Sequence, residues 1–393
     1  MSTLRRCVFL PVILTLAFVA SPPGEAEIRI GFANALSGPY AASGHRNRVA
    51  VETAVHDLNR AGGVLGEQVE LVVADDACGL SQAMAAARRL VEARVSLVVG
   101  HMCSHSSLLA AGIYEAADIL MISPSSTHPR LTEEGRANVF RLTGRDDLQG
   151  EMAARFLGET YAGLRIAILH DGSAYGEGLA RETRAQLHRR GIEEALFEIY
   201  SPGALDYSGI VAELRQASID VVYVGGYGPD AGRILRTARA QGEDLQMVGG
   251  DGLAMDEFWS VAGQAGEGTV FTARRDVRTT PAAAPVLKAF RECGLGTRPG
   301  GIGAYAALQV WATAAERVGS VDLPAVEREL RRGRFATPLG RVAFDDKGDL
   351  RDSVWQWYVW KDANYRALPQ DRARLGDVLT WPVRQPVRRL PAP

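Results

Sequence analysis

The sequence predicts an α/β protein built from two doubly wound, Rossmann-like lobes. Three observations carry that expectation. Short β-branched runs alternate with amphipathic stretches along most of the chain. The strands are continuous apolar runs, and the pattern occurs twice in succession, over about residues 27–145 and 146–272. Continuous apolar strands are buried on both faces, as in parallel sheets covered by helices. The length of 393 residues agrees, since it corresponds to two or three domains of about 100–200 residues.

The elements follow in order. IRIGFA (28–33) reads as a strand, and 45–61 as a helix stopped by Gly62-Gly63. VELVVAD (69–75) is a strand and 80–93 a helix; VSLVVG (95–100) is a strand and 104–117 a helix; ILMIS (119–123) is a strand. The second stretch opens with a helix over 147–161. RIAILH (165–170), ALFEIY (195–200), DVVYVGG (220–226) and QMVGG (246–250) are its strands, with helices over 175–190, 208–217 and 229–241. Helices near 283–293, 302–317 and 323–332 and strands near 340–345 and 354–361 then complete the first unit and the second. The expected division is 27–145 with 275–353 for lobe one and 146–274 with 354–366 for lobe two. Ligands of such sheets bind at the carboxyl ends of strands, so the cleft between the lobes is where a site belongs.

The two ends of the chain read differently. Arg5 and Arg6 precede an uncharged run, CVFLPVILTLAFVA at 7–20, and Gly24 and Ala26 are spaced as in a signal-peptidase site. The run is shorter than the roughly 20 residues that span a bilayer, and Pro11 interrupts it. Residues 1–26 are therefore expected to be a cleaved secretory signal, and the product to be periplasmic. At the other end, residues 367–393 hold Arg372, Arg374, Arg384, Arg388 and Arg389 against Asp371 and Asp377, together with several prolines. That composition predicts a disordered basic tail.

A net charge of −2 argues against nucleic acid as a partner, because phosphate binding needs a cationic surplus. No catalytic constellation stands out. There is no G-x-S-x-G elbow and no P-loop, and Gly226-Tyr227-Gly228-Pro229 lacks the third glycine of a dinucleotide fingerprint. The expectation is no enzyme and no cofactor. His101, Cys103 and His105 could ligate zinc with Cys78. The competing reading, a Cys78–Cys103 disulfide, is favoured in an oxidising compartment, and closing that loop stabilises by about 3.5 kcal/mol in the chain-entropy model. No metal is therefore expected, and Cys293 is left as a buried free thiol.

Strand ends supply the binding chemistry. Ser104 with Ser106-Ser107, and Ser123-Pro-Ser-Ser-Thr127, follow strands of the first stretch, where hydroxyls and free backbone N–H groups suit a carboxylate. Tyr175, Tyr227 and Asp251 follow strands of the second stretch, where a carboxylate and two rings suit an ammonium group. One lobe for an anion and one for a cation describes an α-amino acid site.

The sequence resembles the periplasmic leucine/isoleucine/valine-binding proteins, the solute receptors of branched-chain amino acid ABC transporters. The likeness covers about residues 28–361. It is carried by SGPYAASG (37–44), NRAGGVLG (59–66), VVADDACG (72–79), VGHMCSH (99–105), ILMISPSST (119–127), GRDDLQG (144–150), ILHDGSAYGEGLA (168–180), YVGGYGPDAG (223–232), MVGGDGLA (247–254) and FDDKGDL (344–350). The resemblance implies a type I periplasmic-binding fold with a three-crossing hinge, and a monomer that takes an α-amino acid, branched-chain or related apolar, to an ABC permease. It also implies the Cys78–Cys103 disulfide.

Residue by residue, the resemblance implies that Ser104 binds the ligand carboxylate. Ser125 offers its carbonyl to the ammonium, and Thr127 offers its N–H and hydroxyl. Tyr175 and Tyr227 close over the ligand, and Asp251 stands where an acidic residue meets the ammonium. Ser43 falls where some relatives have an aromatic residue, Met102 on an apolar wall, and Gly300-Gly-Ile-Gly303 where aromatic residues are also found; the pocket should then be larger, with room for Phe or a polar side chain. Two other readings stay open at this stage: a receptor of the same fold for amides, urea or aromatic acids, and an exported sensing module for a signalling partner.

Overall fold

The computed structural model describes residues 27–295, 300–352 and 354–369. The expected signal (1–26) and the tail from residue 370 lie outside the described residues. The chain opens with β1 (Ile28–Asn34), a 3-10 turn at Gly38–Tyr40, and α1 (Ala41–Arg60). It continues through β2 (Val69–Asp75), α2 (Leu80–Glu92), β3 (Leu97–Gly100), α3 (Ser104–Glu115), β4 (Leu120–Ser123), α4 (Arg130–Glu133) and β5 (Val139–Arg141). The second unit runs α5 (Asp146–Thr160), β6 (Ile166–His170), α6 (Ala174–Arg189), β7 (Leu196–Ile199), α7 (Ser208–Gln216), β8 (Val221–Gly225), α8 (Gly228–Ala240), β9 (Gln246–Gly249), α9 (Asp256–Ala262) and β10 (Val270–Arg274). The chain then returns through α10 (Ala284–Glu292), α11 (Ile302–Val318), α12 (Leu323–Arg332), β11 (Phe335–Thr337) and β12 (Gly340–Val342), and ends in β13 (Trp355–Lys361) and β14 (Asn364–Ala367).

Two sheets result. The first has the order β2-β1-β3-β4-β5, and all its pairings are parallel. The second has the order β14-β13-β10-β9-β8-β6-β7, parallel except where β13 meets β10 and β14. The continuous apolar strands follow from the two-residue period of a pleated strand. In β1, Ile28, Ile30 and Phe32 enter the core beneath α1 and α11, while Ala33 enters the core beneath α2 and α3. In β8, Val221 and Tyr223 face one side of the second sheet and Val222 and Val224 the other. Fully buried Trp311 and Phe32 anchor the first core, and truncating either to alanine costs about 3–5 kcal/mol.

The chain passes between the two bodies three times, between β5 and α5, between β10 and α10, and between β12 and β13. Several sequence expectations are corrected. Helix α1 begins at Ala41, not 45, because Gly44 is a point of close approach rather than a loop residue: a Cβ there would lie 1.7 Å from the Ala35 carbonyl oxygen. The strand expected near 340–345 does not extend the first sheet; it pairs with β11 in a separate hairpin. Helices α4 and α9 and strands β5, β10, β11 and β14 were not foreseen, and the expected tail starts too early, since Ala367 pairs in β14 and Leu368 is buried. Cys293 is exposed, not buried. Helix α10 buries Val286, Leu287 and Phe290 and ends at Glu292, which leaves Cys293 on the following turn.

Candidate functional site

A cavity of about 200 Å³ lies between the two bodies, at the carboxyl ends of strands from both sheets. It is lined by Ser43, Met102, Ser104 and Ser125, then Thr127, Tyr175, Tyr227 and Asp251, all given a ligand contact from the sequence, whereas Ser106, Ser107 and Ser123 are buried and do not line it. On the first body, Ser104 is the first residue of α3, whose N-cap is Cys103, and so it stands among the unpaired N–H groups of a helix start. Its hydroxyl accepts a long bond, 3.4 Å, from the His128 N–H. Ser125 lies in the turn after β4, where its N–H and that of Ser126 donate to Ser123 Oγ at 3.3 and 2.9 Å.

The disulfide is formed between Cys78 and Cys103, with Cα atoms 5.6 Å apart, and fixes the start of α3 to the loop after β2. It consumes the thiols that a zinc site would need. The two histidines are engaged elsewhere: His105 Nε2 lies 2.6 Å from the Cys78 carbonyl oxygen, and buried His101 sits between Asp76 Oδ2 at 2.5 Å and the Tyr114 hydroxyl at 3.0 Å.

The second body presents charge and rings. Asp251 Oδ1 accepts from the Tyr175 hydroxyl at 2.9 Å and from Gln149 Nε2 at 3.0 Å. Gln149 Nε2 also donates to Asp146 Oδ1 at 2.9 Å, and its Oε1 accepts from Thr272 Oγ1 at 2.5 Å and from the Asp251 N–H at 3.2 Å. These bonds fix the amide's orientation and aim Asp251. Burial raises the Asp251 carboxyl above the usual carboxylate range. Burial, with the Asp251 charge second, raises Asp146 well above it. The Tyr175 and Tyr227 rings pack at a tilt of 40° with centroids 5.0 Å apart, and Tyr40 from the first body packs on Tyr227 at 4.8 Å, tilted by 47°.

Several bonds cross from body to body. The Ser43 N–H and hydroxyl donate to the Glu257 carboxylate at 2.8 and 2.7 Å. Arg46 pairs across the cleft with Asp256 and, within its own body, donates to the Leu295 carbonyl at 2.5 Å. Arg274 Nη2 donates to the Pro124 carbonyl at 3.0 Å. The two bodies are thus clasped around the cavity.

Sequence reasoning missed Arg46, Gln149, Arg274 and Trp355. Arg46, Arg274 and Trp355 line the cavity, and Gln149 bonds the Asp251 carboxyl. Two of them carried a readable signal. Arg46 is three residues after Ser43, on the same face of one helix. Arg274 ends an apolar strand, the rule that found Asp251.

Two lobes meeting over a cavity of this size, with hydroxyls on one wall and a carboxyl bonded to a tyrosine on the other, define a cleft receptor for a small molecule. The chain belongs to the periplasmic binding protein family, whose model matches residues 27–361. It is 39% identical over 340 residues to the leucine-, isoleucine-, valine-, threonine- and alanine-binding protein of Pseudomonas aeruginosa, covering 86% of this chain and 91% of that one. It is 35% identical to Leu/Ile/Val-binding protein homolog 1 of Brucella suis, covering 93% of this chain and 100% of that one. Among solved structures, a leucine-binding protein of Thermotoga maritima superposes with a TM-score of 0.80 at 27% identity, covering 87% of this chain and 98% of that one. The isoleucine complex of the branched-chain amino acid transporter substrate-binding protein LivJ from Streptococcus pneumoniae gives 0.78 at 26%, covering 87% and 99%. The disulfide, the two-lobe α/β fold and the family expected from the sequence all hold.

Proposed function

We propose that the chain is an exported receptor that captures an α-amino acid between two closing lobes and delivers it to an ABC permease, working as a monomer without catalysing a reaction. One observation carries the reading: the cavity has a helix start and hydroxyls on one wall and, on the other, Tyr227 and the Asp251 carboxyl bonded to Tyr175. That is the polarity of a zwitterion. Relatives named for leucine, isoleucine and valine support it.

The ligand carboxylate docks first, on Ser104 and Thr127, and the ammonium meets the Ser125 carbonyl. Closure of the second lobe then brings Tyr175, Tyr227 and Asp251 to the ligand. The Ser43–Glu257 and Arg46–Asp256 contacts join residues of both lobes, so they belong to the closed form. Excluding water strengthens every polar contact inside, and the ligand shifts the population only by binding the closed form more tightly than the open one. The permease reads that closed form. Residues 1–26 serve as the export signal.

A thermal-shift panel tests the reading. Protein unfolded and refolded to strip carried ligand is titrated with all common α-amino acids. Binding to the folded state raises Tm with ln(1 + [L]/Kd). At least one α-amino acid should do so; no shift with any of them overturns the reading.

A further inference from the structure

Arg274 ends β10 and lines the cavity beside Ala273, Gly303 and Ala304, none of which has a side-chain acceptor. It is half-buried and lines the void. Burial pushes its guanidinium pKa down to about 10, so it stays charged near neutral pH.

A guanidinium carries five N–H donors and no acceptor. Only one bond is made by this one, from Nη2 to the Pro124 carbonyl, and among the described residues it has no ion pair. Of the carboxylates that share the cavity, Asp256 pairs with Arg46, and Asp251 acts on Arg274 only through its charge, with no ion pair, while its Oδ1 accepts from Gln149 and Tyr175. The fold makes room for this cation. A Cβ at Gly303 would lie 2.7 Å from Arg274 Nη1 and 3.3 Å from the Pro124 oxygen. The space opened by glycine on this wall is filled by a charge rather than left for hydrocarbon.

Water can satisfy the spare donors while the cleft is open. Once the lobes close on a ligand, that water is reduced, and a buried charge without acceptors is costly. A ligand side chain ending in hydrocarbon leaves the donors bare. One ending in two oxygens, or in an oxygen and an amide, takes them, and the planar fork suits such a group.

We propose that Arg274 forms a side-chain subsite, extending the receptor's range to α-amino acids whose side chain ends in a carboxamide or carboxylate. The assignment rests on the α-amino acid reading above and adds the ligand's far end to it.

Calorimetry on the stripped protein tests it with Gln, Glu and Met, unbranched side chains of similar length, and with Leu, Ile and Val. Gln or Glu should bind at least about tenfold tighter than Met, the range of a hydrogen bond to a charged group. The Gln and Glu arms separate hydrogen bonding from charge. In Arg274→Met the preference should vanish, with Met binding as well as or better than in the native protein. Thermal unfolding without ligand checks that the variant is folded, and Arg274→Lys, which keeps the charge but loses the fork, should retain part of the preference. Binding of any α-amino acid with no preference for Gln or Glu over Met, or a preference that survives Arg274→Met, overturns this subsite and leaves the receptor reading standing. Failure of all six amino acids to bind removes the reading beneath it.

Discussion

The two walls of the cavity are built from different chemistry. The first lobe offers Ser104, Ser125, Thr127 and Met102, all neutral, set on a helix start and a tight turn and pinned by the Cys78–Cys103 disulfide. Among its cationic side chains at the cavity, Arg46 is already paired across the cleft with Asp256. The second lobe offers Asp251, Arg274, Tyr175 and Tyr227, each titratable and each drawn away from its ordinary pKa by burial. A carboxylate can be held by orphaned backbone N–H groups without any charged side chain, so the first wall can be complete in the open form. The second wall carries charge that is worth little in water and much once water leaves. The division therefore puts docking on the first lobe and the free energy of closure on the second.

Removing Asp251 is the strongest way to break that division. In Asp251→Ala the ligand ammonium loses its partner in a closed site, and affinity measured by calorimetry should fall by about 2–5 kcal/mol. Asp251→Asn keeps the shape and the Tyr175 bond, and should lose most of the same amount. Unchanged affinity in both would move the ammonium away from this carboxyl. On the opposite wall the expected loss is smaller. Ser104→Ala removes one hydroxyl but leaves the helix-start N–H groups, so about 1.5 kcal/mol is expected, the low end for a hydrogen bond to a charged group. If Ser104→Ala costs as much as Asp251→Ala, the anchoring is not divided in this way.

Much of this was readable without coordinates, and for physical reasons. Strands buried on both faces write themselves as unbroken apolar runs, so nearly every parallel strand was located. Strands β5, β10, β11 and β14 are only three to five residues long, too short a run to stand out. Site residues that follow strands, such as Ser104 and Asp251, were found by the rule that ligands sit at strand ends. Gln149 escaped because nothing in a helical stretch marks one glutamine as the residue that will orient a carboxyl two strands away. The clasp between Ser43 and Glu257 joins residues 214 positions apart, and no local pattern encodes it. The Gly300–Gly303 wall was read as open space; Arg46 and Arg274 press against it, because glycine admits a bulky neighbour as readily as a ligand.

The finest test of the charged wall is its pH dependence. Burial raises the Asp251 carboxyl in the unliganded protein, and a bound ammonium favours its ionised form, so binding lowers its pKa. A group whose pKa is lower in the complex gives full affinity above its free-state pKa, and affinity falls as pH drops through that value. The loss should begin at a higher pH than an ordinary carboxylate would allow, and should not exceed about tenfold per pH unit for one proton. Other groups facing the site do not mimic this. Tyr175 and Tyr227 are raised away from the range, Arg274 at about 10 lies above it, and burial lowers His128, keeping it neutral longer as pH falls. Asp146 is the exception, since it too is raised and shares Gln149 with Asp251. Calorimetry between about pH 7 and about pH 5 on native protein, Asp146→Asn and Asp251→Asn separates them. The slope should persist in Asp146→Asn and flatten in Asp251→Asn. A slope that instead vanishes with Asp146 would assign the proton to the buried carboxyl of Asp146 rather than to Asp251.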